Sequence, residues 1–246
     1  MKPQIIVGED TGFHNAKTQE TIDRMIAQGA YKDLSTIVLV PCFGQIPTKV
    51  VASWMNMYSP PNQGMVRLWG MGMEVGESFN AMMETILANP QLAKFKYIMT
   101  LEHDNTVQPD TLVNLLSAMH DHPEYSAISA LYYTKGYGGV AQCWGDINDP
   151  VINFRPVPPR ADGGILETYG TGMGCVLWRM DMFKDARFEG KWFKTCADQT
   201  NGCFTQDLYF WNNARKYGYR CAVHCGVKSG HYDLEGKFSD MPDFTW

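Results

Sequence analysis

Glu102 and Asp104 stand two residues apart at the end of an apolar run, Tyr97-Ile98-Met99-Thr100-Leu101, and Gln108-Pro109-Asp110 opens a helix soon afterwards. The run reads as a buried strand, so both acids occupy its C-terminal edge, the edge at which open α/β sheets bind ligands. In extended chain they point the same way, about two 3.3 Å rises apart. Carboxylates that close repel unless a cation lies between them, and a hard divalent ion is the simplest candidate. The alternative is a decorated surface turn, but a strand end followed at once by a helix start leaves little turn to decorate. His103, between the two acids, is a third polar side chain with no packing role to explain it.

The elements around this edge follow a repeating order. Thr36-Ile37-Val38-Leu39-Val40 is a continuous β-branched run, as expected of a parallel strand buried on both faces. It ends at Pro41-Cys42-Phe43-Gly44, and Pro47 starts a helix carrying Val50, Trp54, Met57 and Tyr58 on one stripe. Met65 to Trp69 is the next strand. The helix from Val75 to Asn89 follows it, with Phe79, Met82, Met83, Ile86 and Leu87 facing a core. The Tyr97 strand and a helix from Pro109 to His120 form a third unit, and three β/α units in succession predict a mostly parallel sheet flanked by helices. Ala127 to Tyr132 and Gly174 to Trp178 read as further strands. Thr205 caps a helix from Gln206 to Tyr217, closed by Gly218, and Arg220 to Val223 is a last strand. A modest helix is expected from Thr21 to Ala27, ending at Gly29. Residues 134–172 are rich in Gly and Pro and read as loops over the sheet edge, the kind of long loop that tends to carry function.

Bulk properties narrow the class. A chain of 246 residues with 45% apolar and 19% charged residues can form one α/β domain with a sizeable core and no disulfide staples. A net charge of −5 argues against a nucleic-acid or anionic-membrane surface. No stretch has the pattern of a signal peptide or a membrane span, so the expectation is a soluble cytoplasmic protein. Seven scattered cysteines fit reduced thiols, and Cys221-Ala-Val-His-Cys225 has no second pair at zinc-finger spacing.

The ordered motifs resemble the GT-A glycosyltransferases, in particular the inverting family 2 type and its small phage-associated members. The resemblance is carried by Val40-Pro41 after the first nucleotide-type strand and by Glu102-His103-Asp104 in the place of the family's D-x-D. Gly170-Thr171-Gly172-Met173-Gly174, Thr205-Gln206-Asp207 at a helix start and the late Gly230-His231 complete it. It covers roughly residues 36 to 233. Two positions depart from the pattern: the first D-x-D acid is Glu, and Gln206 stands where many members have a second carboxylate. The resemblance implies a single GT-A domain, with residues 36–125 as its nucleotide-binding half and 126–246 as its acceptor side. It implies a nucleotide-sugar donor, with a UDP-sugar favoured, and a glycan or small-molecule acceptor. Phage-like membership would place the protein in a host cytoplasm.

Site roles follow from the same resemblance. Glu102, Asp104 and His231 would hold a divalent metal. Carboxylates with an imidazole suit Mn²⁺ better than Mg²⁺, which remains an alternative. Such an ion stabilises the negative charge that develops on a leaving nucleoside diphosphate. Asp207, in the first turn of its helix, would be the base that takes the acceptor hydroxyl's proton; the competing reading is that it only satisfies the helix N-terminus. Inverting and retaining outcomes both stay open. Pro41, Phe43 and Gly44 would line the base or ribose. Glu74, Gly76, Asn80 and His103 lie where the family approaches the nucleotide, although Phe79 replaces a frequent Arg. Lys228 is a candidate phosphate partner. Trp144, Tyr169 and Trp192 are candidate sugar platforms. Two other functions share parts of this pattern. A nucleotidyltransferase would carry a basic Gly-rich loop after the first strand, which Cys42-Phe43-Gly44-Gln45-Ile46 is not; an inactive binding module is disfavoured by the retention of Glu102, Asp104, Asp207 and His231 together and left open by the Gln206 departure.

Overall fold

The structure, a computed structural model, describes residues 3–8, 23, 27, 32–61, 63–135, 139–195 and 205–232. The first part of the chain supplies strands β1 (Gln4–Val7), β2 (Thr36–Cys42), β3 (Met65–Met71), β4 (Tyr97–Leu101), β5 (Asn105–Val107) and β6 (Ala127–Leu131). Helices α1 (Thr48–Met55), α2 (Val75–Ala88) and α3 (Thr111–Asp121) are interleaved with them. The short strands β7 (Cys143–Trp144), β8 (Ile165–Thr168) and β9 (Gly170–Thr171) follow, then β10 (Cys175–Arg179) and two 3₁₀ turns over Met180–Lys184 and Ala186–Phe188. Helix α4 (Gln206–Lys216) and the long strand β11 (Cys221–His231) complete the order.

The main sheet runs β1-β3-β2-β4-β10-β6-β11-β5, with β8 also on β11. Strands β3, β2, β4, β6 and β11 point the same way, as the β/α units predict; β10 is inserted antiparallel between β4 and β6. One sheet therefore spans both of the expected halves. Alternation along each strand divides the core into two layers. Ile37, Leu39, Ile98, Val176 and Trp178 pack beneath α2 and the aromatic residues of α4. Val38, Val40, Met99, Cys175 and Leu177 pack against α1 and α3. Trp178 stacks on Trp211 with centroids 5.3 Å apart, and the Trp211 indole N–H donates to Thr171 O at 3.1 Å, which seats α4 beside the Gly170–Gly174 segment.

Several expectations shift at their edges. Helix α1 stops at Met55 and leaves Tyr58 exposed, because the Met57 N–H turns back to Trp54 O and the Tyr58 N–H bonds Pro109 O instead. Thr205 holds the N-cap position of α4 in extended backbone, but its side chain makes no capping bond. The last strand is far longer than Arg220 to Val223: it passes through an irregularity between His224 and Lys228 and continues to His231. The expected helix from Thr21 to Ala27, with Gly29, lies largely outside the described residues. No helix among the described residues is long and apolar enough to cross a membrane.

Candidate active site

Chain direction changes at the end of β4. The Asn105 N–H donates to Glu102 O at 2.9 Å, closing a turn, while the Glu102 N–H donates to Gly174 O at 3.0 Å. Glu102 and Asp104 therefore do not share one face of an extended strand, as their spacing suggests. After the turn the chain forms β5, which pairs antiparallel with the end of β11 and sets His231 opposite Asn105. The Tyr232 N–H donates to Asp104 O at 2.6 Å and locks that register. Buried Asn105 adds donor bonds to Ser229 Oγ at 3.3 Å and Gly230 O at 3.1 Å.

This pairing brings Asp104 and His231 together across 127 residues of sequence. His231 Nδ1 lies 2.8 Å from Tyr133 O; a carbonyl only accepts, so Nδ1 carries the proton and Nε2 faces Asp104 Oδ2 at 3.5 Å. The same Oδ2 accepts from Lys135 Nζ at 2.5 Å. Burial opposes ionisation of Asp104, but the His231 hydrogen bond and the His231 and Lys135 charges outweigh it and hold the carboxyl well below its ordinary range. Among the described residues, buried Asp104 Oδ1 has no hydrogen-bond partner. Lys135 is the site residue that sequence reasoning missed; its signal was a place in the Gly-rich run 135–139, already marked as a functional loop.

Glu102 answers to different neighbours. Burial, then the charges of Asp104 and Asp207, push its carboxyl up to about 8. Asp207 is also raised, by burial, although the Leu208 N–H donates to its Oδ1 at 2.8 Å. Burial, then both carboxylates, raise Tyr132, whose hydroxyl accepts from the Gly174 N–H at 2.7 Å and whose ring meets His231 edge-on at 5.8 Å. Close approach explains the glycines of the Gly170–Gly174 motif. A Cβ on Gly174 would stand 2.5 Å from Asn105 Oδ1, and one on Gly172 would stand 2.2 Å from the Tyr132 hydroxyl.

A cleft of about 240 Å³ opens between the ends of β2 and β4, with Pro41 and Phe43 on one wall and Glu102, His103 and Asp104 on another. Gln206, Met73 and Val75 close it. Phe43 is 70% exposed and meets the His103 ring edge-on at 6.1 Å, and burial lowers His103. Gly44 takes φ +109°, a turn that a side chain would strain.

Other expected residues are engaged elsewhere. Glu74 is the N-cap of α2, accepting from the Gly76 and Glu77 N–H groups at 2.8 and 3.1 Å and from Thr195 Oγ1 at 2.8 Å. Gly76 packs against Gln206 and the Lys194 backbone. Asn80 spends its amide on the backbone of Phe193, donating at 2.7 Å and accepting at 3.1 Å, so it holds a loop and is not on the cleft wall. Phe79 beside it is fully buried. Lys228 lines a different groove, with Tyr133, Arg160 and Cys225. Trp192 packs on Phe183 in the core and Tyr169 bonds Asp149 O, so neither is free as a sugar platform. Trp144 is half-buried, its indole held by Gln142 at 2.7 Å.

Among the described residues no group of three His, Cys, Asp or Glu side chains is close enough to hold a metal. What the site offers is a pair. Asp104 has an orphaned oxygen, and His231 presents Nε2 while Nδ1 is pinned to a carbonyl, the outer bond that orients metal-binding histidines. An acid and an imidazole fit a borderline divalent ion whose remaining positions are filled by phosphate oxygens and water.

No family model matches the chain, and no curated protein matches its sequence. Its shape does have counterparts. A197 from STIV superposes with a TM-score of 0.54 at 13% identity, over 81% of this chain and 86% of that one. Residues 1-349 of S. aureus TarS, in complex with UDP-GlcNAc, give 0.51 at 14% identity, over 85% of this chain and 61% of TarS. With the strand order described above, these likenesses show that the chain has the GT-A fold.

Proposed function

We propose that the protein is a glycosyltransferase that moves a sugar from a nucleotide-diphosphate donor, a UDP-sugar by preference, to an acceptor hydroxyl. The observation that carries this reading is the pairing of β5 with β11, which sets His231 beside Asp104 on the wall of a strand-end cleft, with Lys135 on the same carboxylate and Asp207 next to Gln206 of the cleft lining. The TarS complex, with its UDP-GlcNAc, supports the choice of donor.

Exposed Phe43, beside Pro41 and His103, offers a flat apolar surface to the base, and such stacking adds about 0.5–1.5 kcal/mol beyond area burial. Asp104 and His231 are the residues that would hold a divalent ion, Mn²⁺ before Mg²⁺, which when bound would supply positive charge to the leaving diphosphate. Asp207 accepts the proton of the attacking hydroxyl. Its place in the first turn of α4 and the Leu208 N–H bond keep it available as a carboxylate, and its burial raises its basicity. Glu102 lines the cleft near Asp207 and Tyr132, an acid held by burial in its protonated, hydrogen-donating form up to about 8. The acceptor in this reading is a glycan or small molecule.

Calorimetric titration of UDP into the protein with Mn²⁺, then with chelator, tests it. Binding that requires the metal supports the Asp104/His231 site and directs the search to UDP-sugars. Absence of binding in both conditions, repeated with GDP, overturns the reading.

A further inference from the structure

Lys135 is placed where it must either compete with a bound cation or serve it. Its ammonium lies 2.5 Å from Asp104 Oδ2, on the oxygen that also faces His231 Nε2 at 3.5 Å. Two positive centres cannot share one carboxylate oxygen at that range without strong repulsion. A divalent ion held by Asp104 and by His231 Nε2, which faces that same oxygen, would lie beside the ammonium and repel it. The base of the loop is tied on both sides: the Thr134 N–H donates to Val140 O at 2.8 Å, and the Val140 N–H donates to Thr134 Oγ1 at 2.8 Å. Only the flexible four-carbon stem of Lys135 has to move.

We propose that Lys135 is a donor-binding residue that exchanges partners: its ammonium neutralises Asp104 while the site is empty and turns to the donor's diphosphate when a divalent ion takes Asp104. This deepens the glycosyltransferase reading and rests on it. The exchange has a built-in economy. The buried Asp104 carboxylate is never left without a cation, and the displaced ammonium is delivered within reach of an anion that arrives with the metal. Lysine acts here as a mobile point charge, a role that needs reach and not a fixed fork.

The two halves of the exchange predict effects of opposite sign. Removing the ammonium removes a competitor for the metal, so Lys135→Ala should bind Mn²⁺ alone several-fold more tightly than wild type. It also removes a phosphate partner, so the same variant should bind UDP in saturating Mn²⁺ about tenfold more weakly, the size of one charge-assisted hydrogen bond. Lys135→Arg, which keeps the charge, should recover most of the UDP affinity. Metal binding is read by the loss of the free Mn²⁺ paramagnetic resonance signal, UDP binding by calorimetry, and thermal unfolding of each variant confirms that it is folded. A purely structural lysine would move both affinities down together. Any pattern other than tighter Mn²⁺ with weaker UDP in Lys135→Ala overturns the exchange. If wild type binds UDP with Mn²⁺ and Lys135→Ala matches it, the exchange falls and the transferase reading stands. If wild type binds neither UDP nor GDP, both fall.

Discussion

Replacing Glu102 by glutamine should stabilise the protein at alkaline pH and leave its stability unchanged in acid. Burial, reinforced by the charges of Asp104 and Asp207, lifts this carboxyl from its ordinary 4.5 to about 8. A folded value above the unfolded one means that the native protein keeps a proton the unfolded chain has already released. Stability from this group is therefore complete below about 4.5 and is lost as pH rises through about 8. The rise spans roughly three and a half pH units at about 1.4 kcal/mol each, an upper limit of about 5 kcal/mol. Solvent reaches the half-buried side chain and screens the interaction, so about 2 kcal/mol is the expected difference. Urea denaturation of wild type and Glu102→Gln at about pH 4, 7 and 9, in chelator, measures it directly. The variant should match wild type at the lowest pH and gain steadily above it. A constant offset across the three would refute the assignment, since it would mean that Glu102 ionises in the native state as freely as in the unfolded chain.

Two other substitutions separate chemistry from scaffolding. Asp207→Asn should lower turnover by about 10²–10⁴-fold while retaining UDP affinity, because asparagine keeps an acceptor for the Leu208 N–H but cannot take a proton; single-turnover kinetics with calorimetry would show it. Asn80→Ala should cost about 1–3 kcal/mol in urea denaturation, since it orphans both backbone groups of Phe193, and should leave the UDP affinity unchanged.

The regular elements were legible because their signals are local. The β-branched run Thr36–Val40 and the stripe of Phe79, Met82, Met83 and Ile86 have periods that only one buried geometry satisfies. Motif order also marked the end of β4 as the candidate site. Glu102, Asp104, Asp207 and His231 do lie near one another, although they are spread over about half of the chain. Individual roles were less readable, since residue type and position do not say what a side chain spends its hydrogen bonds on. Glu74 reads as a ligand-facing acid until its carboxylate is seen capping α2, and Asn80 until its amide is found on Phe193.

By itself, then, the sequence determined the β/α units, the two-layer core and the strand end that carries the acids, all consequences of periodicity within stretches of a dozen residues. Tertiary structure alone decided three things. It inserted β10 antiparallel between β4 and β6, turned the chain at Glu102 so that the two acids leave the extended strand, and extended β11 until His231 met Asp104. Each depends on hydrogen bonds between residues far apart in the chain, where no local pattern constrains the partner. Lys135 belongs to the same category: nothing in a Gly-rich run specifies which distant carboxylate its ammonium will reach.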